Sequence, residues 1–225
     1  MAVKQRARAR GAAAAVLTLM LGAVTATAQS PSSSTASPTS SFDESYRRAQ
    51  QANATLKTLT ADFTESTTSS LLTRPLVAHG TLVVQRPSRV ILRYSDPEAR
   101  VVLIDGNRMT MTWPSRQGRQ QADITRAQSR VQRYFVQGSA EELRREFDIE
   151  LGNTSERPGT QEVRLRPKRK QIRETLTTLV LWIDPATSLL SAMRMTFANG
   201  DTKTMTLARV VTNPALGSDA FSVER

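Results

Sequence analysis

A single histidine, His79, and no cysteine limit the side chains with which this chain could do covalent or metal chemistry. There is no thiol nucleophile, no cysteine zinc cluster and no iron–sulfur centre. A Ser-His-Asp arrangement would have to use His79, which stands at a strand entry with no elbow-like serine nearby. His79 reads better as a surface or edge residue. Neither a G-x-x-x-x-G-K-[ST] phosphate loop nor a G-x-G-x-x-G turn occurs. The acidic pair Glu141-Glu142 sits in an arginine-rich helical stretch and reads as a solvated face. No catalytic residue, metal ligand or cofactor is expected, and the chain is not read as an enzyme. An enzyme would have to depend on His79 or on one particular carboxylate.

What remains is apolar surface and positive charge. In "GTLVVQRPSRVILRY", residues 80–94, counting by twos puts Leu82, Val84 and Arg86 on one face of a strand. A guanidinium aimed with aliphatics must find partners, because an unpaired buried charge is costly. The alternative is that Pro87 breaks the strand and Arg86 turns into water. Later, Met193, Met195 and Phe197 alternate with Arg194 and Thr196, and the hairpin partner carries Met205 and Leu207. Methionine is flexible and polarisable and lines adaptable apolar pockets, although the same residues would also serve an ordinary core. A basic run, "RLRPKRK", places Arg164, Arg166, Lys168, Arg169 and Lys170 at a strand end and loop. It is either a solvated loop or a docking patch for anionic headgroups or an acidic partner.

The elements that position these residues begin after an export signal. Lys4, Arg6, Arg8 and Arg10 precede the apolar run "GAAAAVLTLMLGAVTA", and Ala26-Thr27-Ala28 forms an A-x-A cleavage site. Residues 1–28 read as a secretory signal peptide rather than a membrane anchor. The formal net charge of +11 falls to +7 once those four cations leave. An exported chain rarely meets nucleic acid, so the charge fits anionic lipid or an acidic partner. Residues 29–41, Ser/Thr/Pro-rich, read as a disordered linker. One domain is expected over 42–225.

That domain opens with an amphipathic helix: Phe42, Tyr46, Ala49, Ala52, Leu56, Leu59 and Phe63 recur at threes and fours, with Ser41 as N-cap. The helix should yield to a strand near Thr58. Short strands follow, turned at residues 95–98, at Asp105-Gly106-Asn107, between Gly152 and Gly159, at Asp184-Pro185 and at Asn199-Gly200. Loops this short make the meander antiparallel. "DAFSVE" is expected as an edge strand. Residues 122–147 break the pattern as a helical insertion split at Gly138, with Ser139 and Glu142 as a capping box. Its apolar stripe includes Tyr134 and Phe135. The fold class is α+β, mainly β, with ten to eleven antiparallel strands.

In its order of motifs the chain resembles the periplasmic outer-membrane lipoprotein carriers of the LolA type. The resemblance is carried by a helix running into "LKTLTADFTES", then "GTLVVQRPSRVILRY" with its Arg-Pro, a "DP" turn and "VVLIDGNRMTMTWP". Late in the chain come "LVLWID" and "VVTNPAL…DAFSV". It implies an incomplete β-barrel with a helical lid, residues 122–147, over a hydrophobic cavity for the acyl chains of a lipoprotein or another lipid. Leu82, Val84, Met193, Met195, Phe197, Met205, Leu207, Tyr134 and Phe135 would line that cavity. Arg86 falls on the arginine that holds the lid closed in the family, with carbonyls in Tyr134 to Ser139 as candidate acceptors. An inner-membrane transporter and an outer-membrane receptor would be partners of a monomeric periplasmic carrier. A lipid- or lipoprotein-sensing regulatory module on the same fold is the alternative. The chain departs from the family at Val90, where a phenylalanine is used at the partner surface. It departs also at Thr110 and Thr112, which replace aromatics, and at Glu65, which replaces glutamine.

Overall fold

A computed structural model describes residues 38–116, 118–131, 139–152 and 156–223. The predicted signal peptide and most of the predicted linker, as well as Tyr134, Phe135 and Gly138, lie outside the described residues.

The strands are β1 (Thr58–Thr68), β2 (Leu76–Gln85), β3 (Arg89–Asp96), β4 (Arg100–Asp105), β5 (Arg108–Trp113) and β6 (Gly118–Asp123). They continue with β7 (Phe147–Gly152), β8 (Gln161–Pro167), β9 (Leu176–Ile183), β10 (Leu190–Phe197) and β11 (Thr202–Thr212). The helices are α1 (Pro38–Thr55), α2 (Thr125–Val131), α3 (Ala140–Glu146) and the single turn α4 (Lys170–Arg173). All eleven strands form one open sheet in the order β6-β5-β4-β3-β2-β1-β11-β10-β9-β8-β7, antiparallel throughout.

Two hairpin meanders, β1–β6 and β7–β11, are thus fused by one long-range pairing, β1 with β11. The two edges, β6 and β7, are consecutive in the chain. The segment between them links the two edges, and its described parts carry α2 and α3. The burial pattern says against which face of the sheet they pack. Alternation puts Leu59, Ala61, Phe63 and Glu65 of β1 inward, together with Ala78, Leu82 and Val84 of β2. Every strand except β6 adds apolar side chains to this inner face, and Phe42, Ile124 and Leu143 from the helical segments join the same core. Burying such side chains supplies roughly 1.5–3 kcal/mol each, so the inner face holds the fold together.

Several boundaries differ from the sequence reading. The first helix starts at Pro38, so Ser41 lies inside it instead of capping it, and the linker loses its last four residues. It ends at Thr55, so Leu59 and Phe63 belong to β1. The capping box at Ser139 and Glu142 is present, with both reciprocal hydrogen bonds. Ala122 and Phe147, expected at the ends of the helical insertion, lie in β6 and β7. The described part of the last segment, residues 219–223, forms no strand. It lies instead on the outer face, where Arg93 donates to the carbonyls of Ala220 (3.0 and 3.1 Å) and Ser222 (2.8 Å) and Arg89 stacks on Phe221. Charge-assisted bonds to two carbonyls are worth more than neutral ones. Arg93→Ala should free this segment at a cost of about 1–2 kcal/mol. Proteolysis within residues 214–223 should become faster while the sheet's amide protection persists; unchanged proteolysis would count against the clamp.

Candidate functional site: the inner face and its two ends

At one end of the inner face the end of α1 is tied to the sheet. Arg86 is the first residue of the β2–β3 turn, one past the strand, and half-buried. Its Nη1 donates to the Asn53 carbonyl at 3.1 Å and to Asn53 Oδ1 at 3.4 Å. Burial draws its pKa down, and the Asn53 carbonyl partly compensates the lost hydration. So Arg86 does meet a helix end through a carbonyl, but the helix is α1. Of the acceptors expected in Tyr134 to Ser139, residues 134–138 lie outside the described residues, and the Ser139 carbonyl accepts from Leu143 N at 3.0 Å instead. Asn213 secures the same junction: its Oδ1 accepts from Lys57 N at 2.7 Å, and its Nδ2 donates to the Thr55 carbonyl at 3.3 Å. The far end of α1 touches α3, where Arg144 pairs with Asp43 at 2.7 Å and lies over the Phe42 ring.

Between the two ends runs the apolar stretch. Leu82, Val84, Met193, Met195, Met205 and Leu207 are buried in one cluster, with Phe197 packed at its margin. Registry explains why. Met205 is paired with Met193 on β10, and Met195 with Leu179 on β9, so these side chains stand in adjacent rows on one face.

At the opposite end, a charged group missed in the sequence interrupts this surface. Glu65, 4% exposed, is paired in register with Ala78 on one side and Met205 on the other. Its Oε1 accepts from Lys203 Nζ at 2.7 Å and lies 3.6 Å from Arg100 Nη2, and its Oε2 accepts from the Tyr94 hydroxyl at 3.0 Å. Arg100 lies 3.7 Å from the centre of the Tyr94 ring. Burial first, then the Glu65 charge, pushes the Tyr94 phenol well above its ordinary pKa, so it stays a neutral donor. Lys203 shares its row with Met195, and Arg100 with Tyr94, so both cations stand on the apolar face. Period-two counting could have found this group, since Glu65 continues Leu59, Ala61 and Phe63, and Lys203 precedes Met205 and Leu207.

The basic run lies elsewhere. Arg164 and Arg166 point away from the buried positions of β8. Arg164 pairs with Glu162 at 2.6 Å, Lys168 with Asp148 at 3.3 Å, Arg166 with Glu150 and Arg169 with Glu146. Lys170 opens α4. The acidic neighbours offset much of the charge this run offers. His79 is exposed on β2, its Nδ1 3.1 Å from Thr64 Oγ1. Among the described residues no helix is long and apolar enough to cross a membrane. Also missed were exposed Leu71, Leu72, Leu76 and Val77 at the β1–β2 hairpin, beyond the Glu65 end.

No curated protein sequence matches this chain. Among solved structures it is similar to a LolA superfamily protein from Nitrosomonas europaea, 9% identical over 83% of this chain and 98% of that one, with a TM-score of 0.40. It is similar also to an outer membrane lipoprotein-sorting protein domain from Vibrio parahaemolyticus, 12% identical over 79% and 95%, with a TM-score of 0.41. A third likeness is to the MucA/MucB complex of Pseudomonas aeruginosa, 12% identical over 82% of this chain and 60% of that one, with a TM-score of 0.41. The profile of the family described as "Outer membrane lipoprotein carrier protein LolA" matches residues 54–224, from the last turn of α1 past the end of β11. The chain belongs to the LolA family.

Proposed function

We propose that the protein is a periplasmic carrier that shelters acyl chains, those of a lipoprotein or another lipid, between the inner face of its sheet and a movable helical cover. One observation carries the reading: an open sheet whose inner face is apolar on every strand but β6, with Phe42 of α1 and Leu143 of α3 packed against it. The predicted signal peptide and the family's description support the compartment and the cargo class.

The energetics constrain the mechanism. Each buried methylene is worth about 0.8 kcal/mol, so three chains of about fifteen carbons amount to on the order of 35 kcal/mol. Noncovalent affinity saturates near 20 kcal/mol, so a carrier that must also release its cargo cannot return all of that as binding. Lifting α1 and exposing the inner face offsets part of it. Loading is then uphill, driven by an inner-membrane transporter, and transfer to an outer-membrane receptor is downhill. The basic run 164–170 is the proposed docking contact for acidic partners or anionic headgroups.

In this scheme the Arg86–Asn53 bond belongs to the closed state. Removing it favours the open, loaded state by about 1–2 kcal/mol. A folded Arg86→Leu variant should release cargo to acceptor vesicles roughly tenfold more slowly than the parent. Equal transfer rates in a variant with unchanged melting would refute the latch. Binding of lipid with no exchange between vesicles would favour a lipid-sensing module over a carrier.

A further inference from the structure

The carrier reading leaves the charged group unused, and its composition is unbalanced. Lys203 and Arg100 both direct their ion pairs to the single carboxylate of Glu65. Tyr94 is neutral and spends its proton on the same carboxylate. The group therefore carries one surplus positive charge on an otherwise apolar face. A carboxylate offers about four lone-pair directions and can serve several donors. Lys203 has three donor hydrogens and Arg100 five, so donors remain after Glu65 is satisfied. Both cations keep a foothold in solvent, with side chains 20% and 23% exposed, while Glu65 is enclosed at 6%. The carboxylate thus fixes the two cations, each of which keeps donors that Glu65 does not take and some contact with solvent.

The surroundings add the second half of an amphiphile's complement. Beside Lys203 stands Met195, and further inward lie Met193 and Met205, flexible thioethers that can repack around a hydrocarbon. Outward, Leu76 stands opposite Thr67 on the same face and is half exposed. A charged group between an enclosed apolar surface and an exposed apolar margin is arranged to hold a headgroup at the mouth while the tail runs inward.

We infer that Lys203 and Arg100, preset by Glu65, form the headgroup site for a singly anionic amphiphile, its phosphate or carboxylate held at the mouth of the inner face and its chain laid over Met193, Met195 and Met205. This rests on the carrier reading and narrows its cargo to anionic lipids.

The test compares four amphiphiles with one oleoyl chain, below their micelle concentrations, by calorimetric titration into the protein: oleate, lysophosphatidylglycerol, monoolein and lysophosphatidylcholine. Oleate, lysophosphatidylglycerol or both should bind about tenfold more tightly than the two uncharged or zwitterionic ones, the charge-assisted gain expected for a partly exposed site. The two anions tell carboxylate from phosphate. Lys203→Gln and Arg100→Gln should each remove most of that preference and leave monoolein affinity within about twofold, whereas Lys203→Arg should keep it. Equal affinity for all four, or a preference untouched by both glutamine variants, overturns the headgroup site and leaves the carrier standing. Binding of none of the four overturns the carrier reading and the headgroup site with it.

Discussion

Replacing Gly80 with alanine should lower the free energy of unfolding by about 2–3 kcal/mol, the upper part of the range for overpacking a dense core. A Cβ at this position would lie 2.1 Å from the Arg93 carbonyl oxygen, 2.9 Å from its carbon and 2.7 Å from Phe63 Cζ. The first two are backbone atoms of the adjoining strand and cannot swing aside. Relief requires β2 and β3 to separate at the site where their register already shifts, between His79 and Gly80. The absent side chain also matters to the inner face. Gly80 stands in register between Phe63 on β1 and Tyr94 on β3. Those two rings meet edge to face across it, 4.8 Å between centres. The methyl would enter the space that lets the rings touch, and Tyr94 would then deliver its hydroxyl to Glu65 less well. Urea titration should show a lower midpoint with an unchanged slope. A midpoint within error of the parent would mean that the strands yield freely and that the packing argument is wrong.

How far these features could be read from the chain depended on whether a local signal existed. Hairpins announce themselves through turn chemistry. Gly106 and Gly200 take positive φ at the tips of the β4–β5 and β10–β11 turns, where Asp-Gly-Asn and Asn-Gly predicted them. The apolar alternation of β10 and β11 placed the methionines on one face, and registry put them there. β6 was invisible because it is a polar edge strand: "GRQQAD" is mostly exposed and has no alternation to detect. The C-terminal segment misled for the opposite reason. Its Phe221 and Val223 alternate like a strand, yet a guanidinium on β3 satisfies its carbonyls in place of a sheet neighbour. Arg86 was legible as a residue in need of acceptors. Which helix supplied them was not, because that depends on where α1 ends relative to the β2–β3 turn. The Glu65 group required pairing β1 with β11 across more than a hundred residues, and no local pattern encodes such a pairing.

That group yields the second large effect. Glu65→Met should cost about 2–3 kcal/mol, and adding Lys203→Met should restore most of it. Removing Glu65 alone strands two cations on an apolar face. Stranding a fully buried ion costs about 3–5 kcal/mol, and the residual solvent contact of Lys203 and Arg100 reduces that figure. Removing Lys203 as well replaces a charged pair by two side chains that suit their neighbours, Met195 and Met205. Such replacements of buried pairs are often neutral or stabilising. Arg100 retains its stacking on Tyr94 in the double variant and is partly hydrated, so the recovery should be incomplete. A double-mutant cycle on the unfolding free energies should give a coupling of about 1–2 kcal/mol between Glu65 and Lys203. Costs that simply add, with no recovery in the double variant, would show that Lys203 does not depend on Glu65. The pair would then be a surface contact of little worth, and an anion site preset by Glu65 would lose its foundation. Recovery of stability joined to loss of anionic preference in the same double variant would separate what the charges do for the fold from what they do for the ligand.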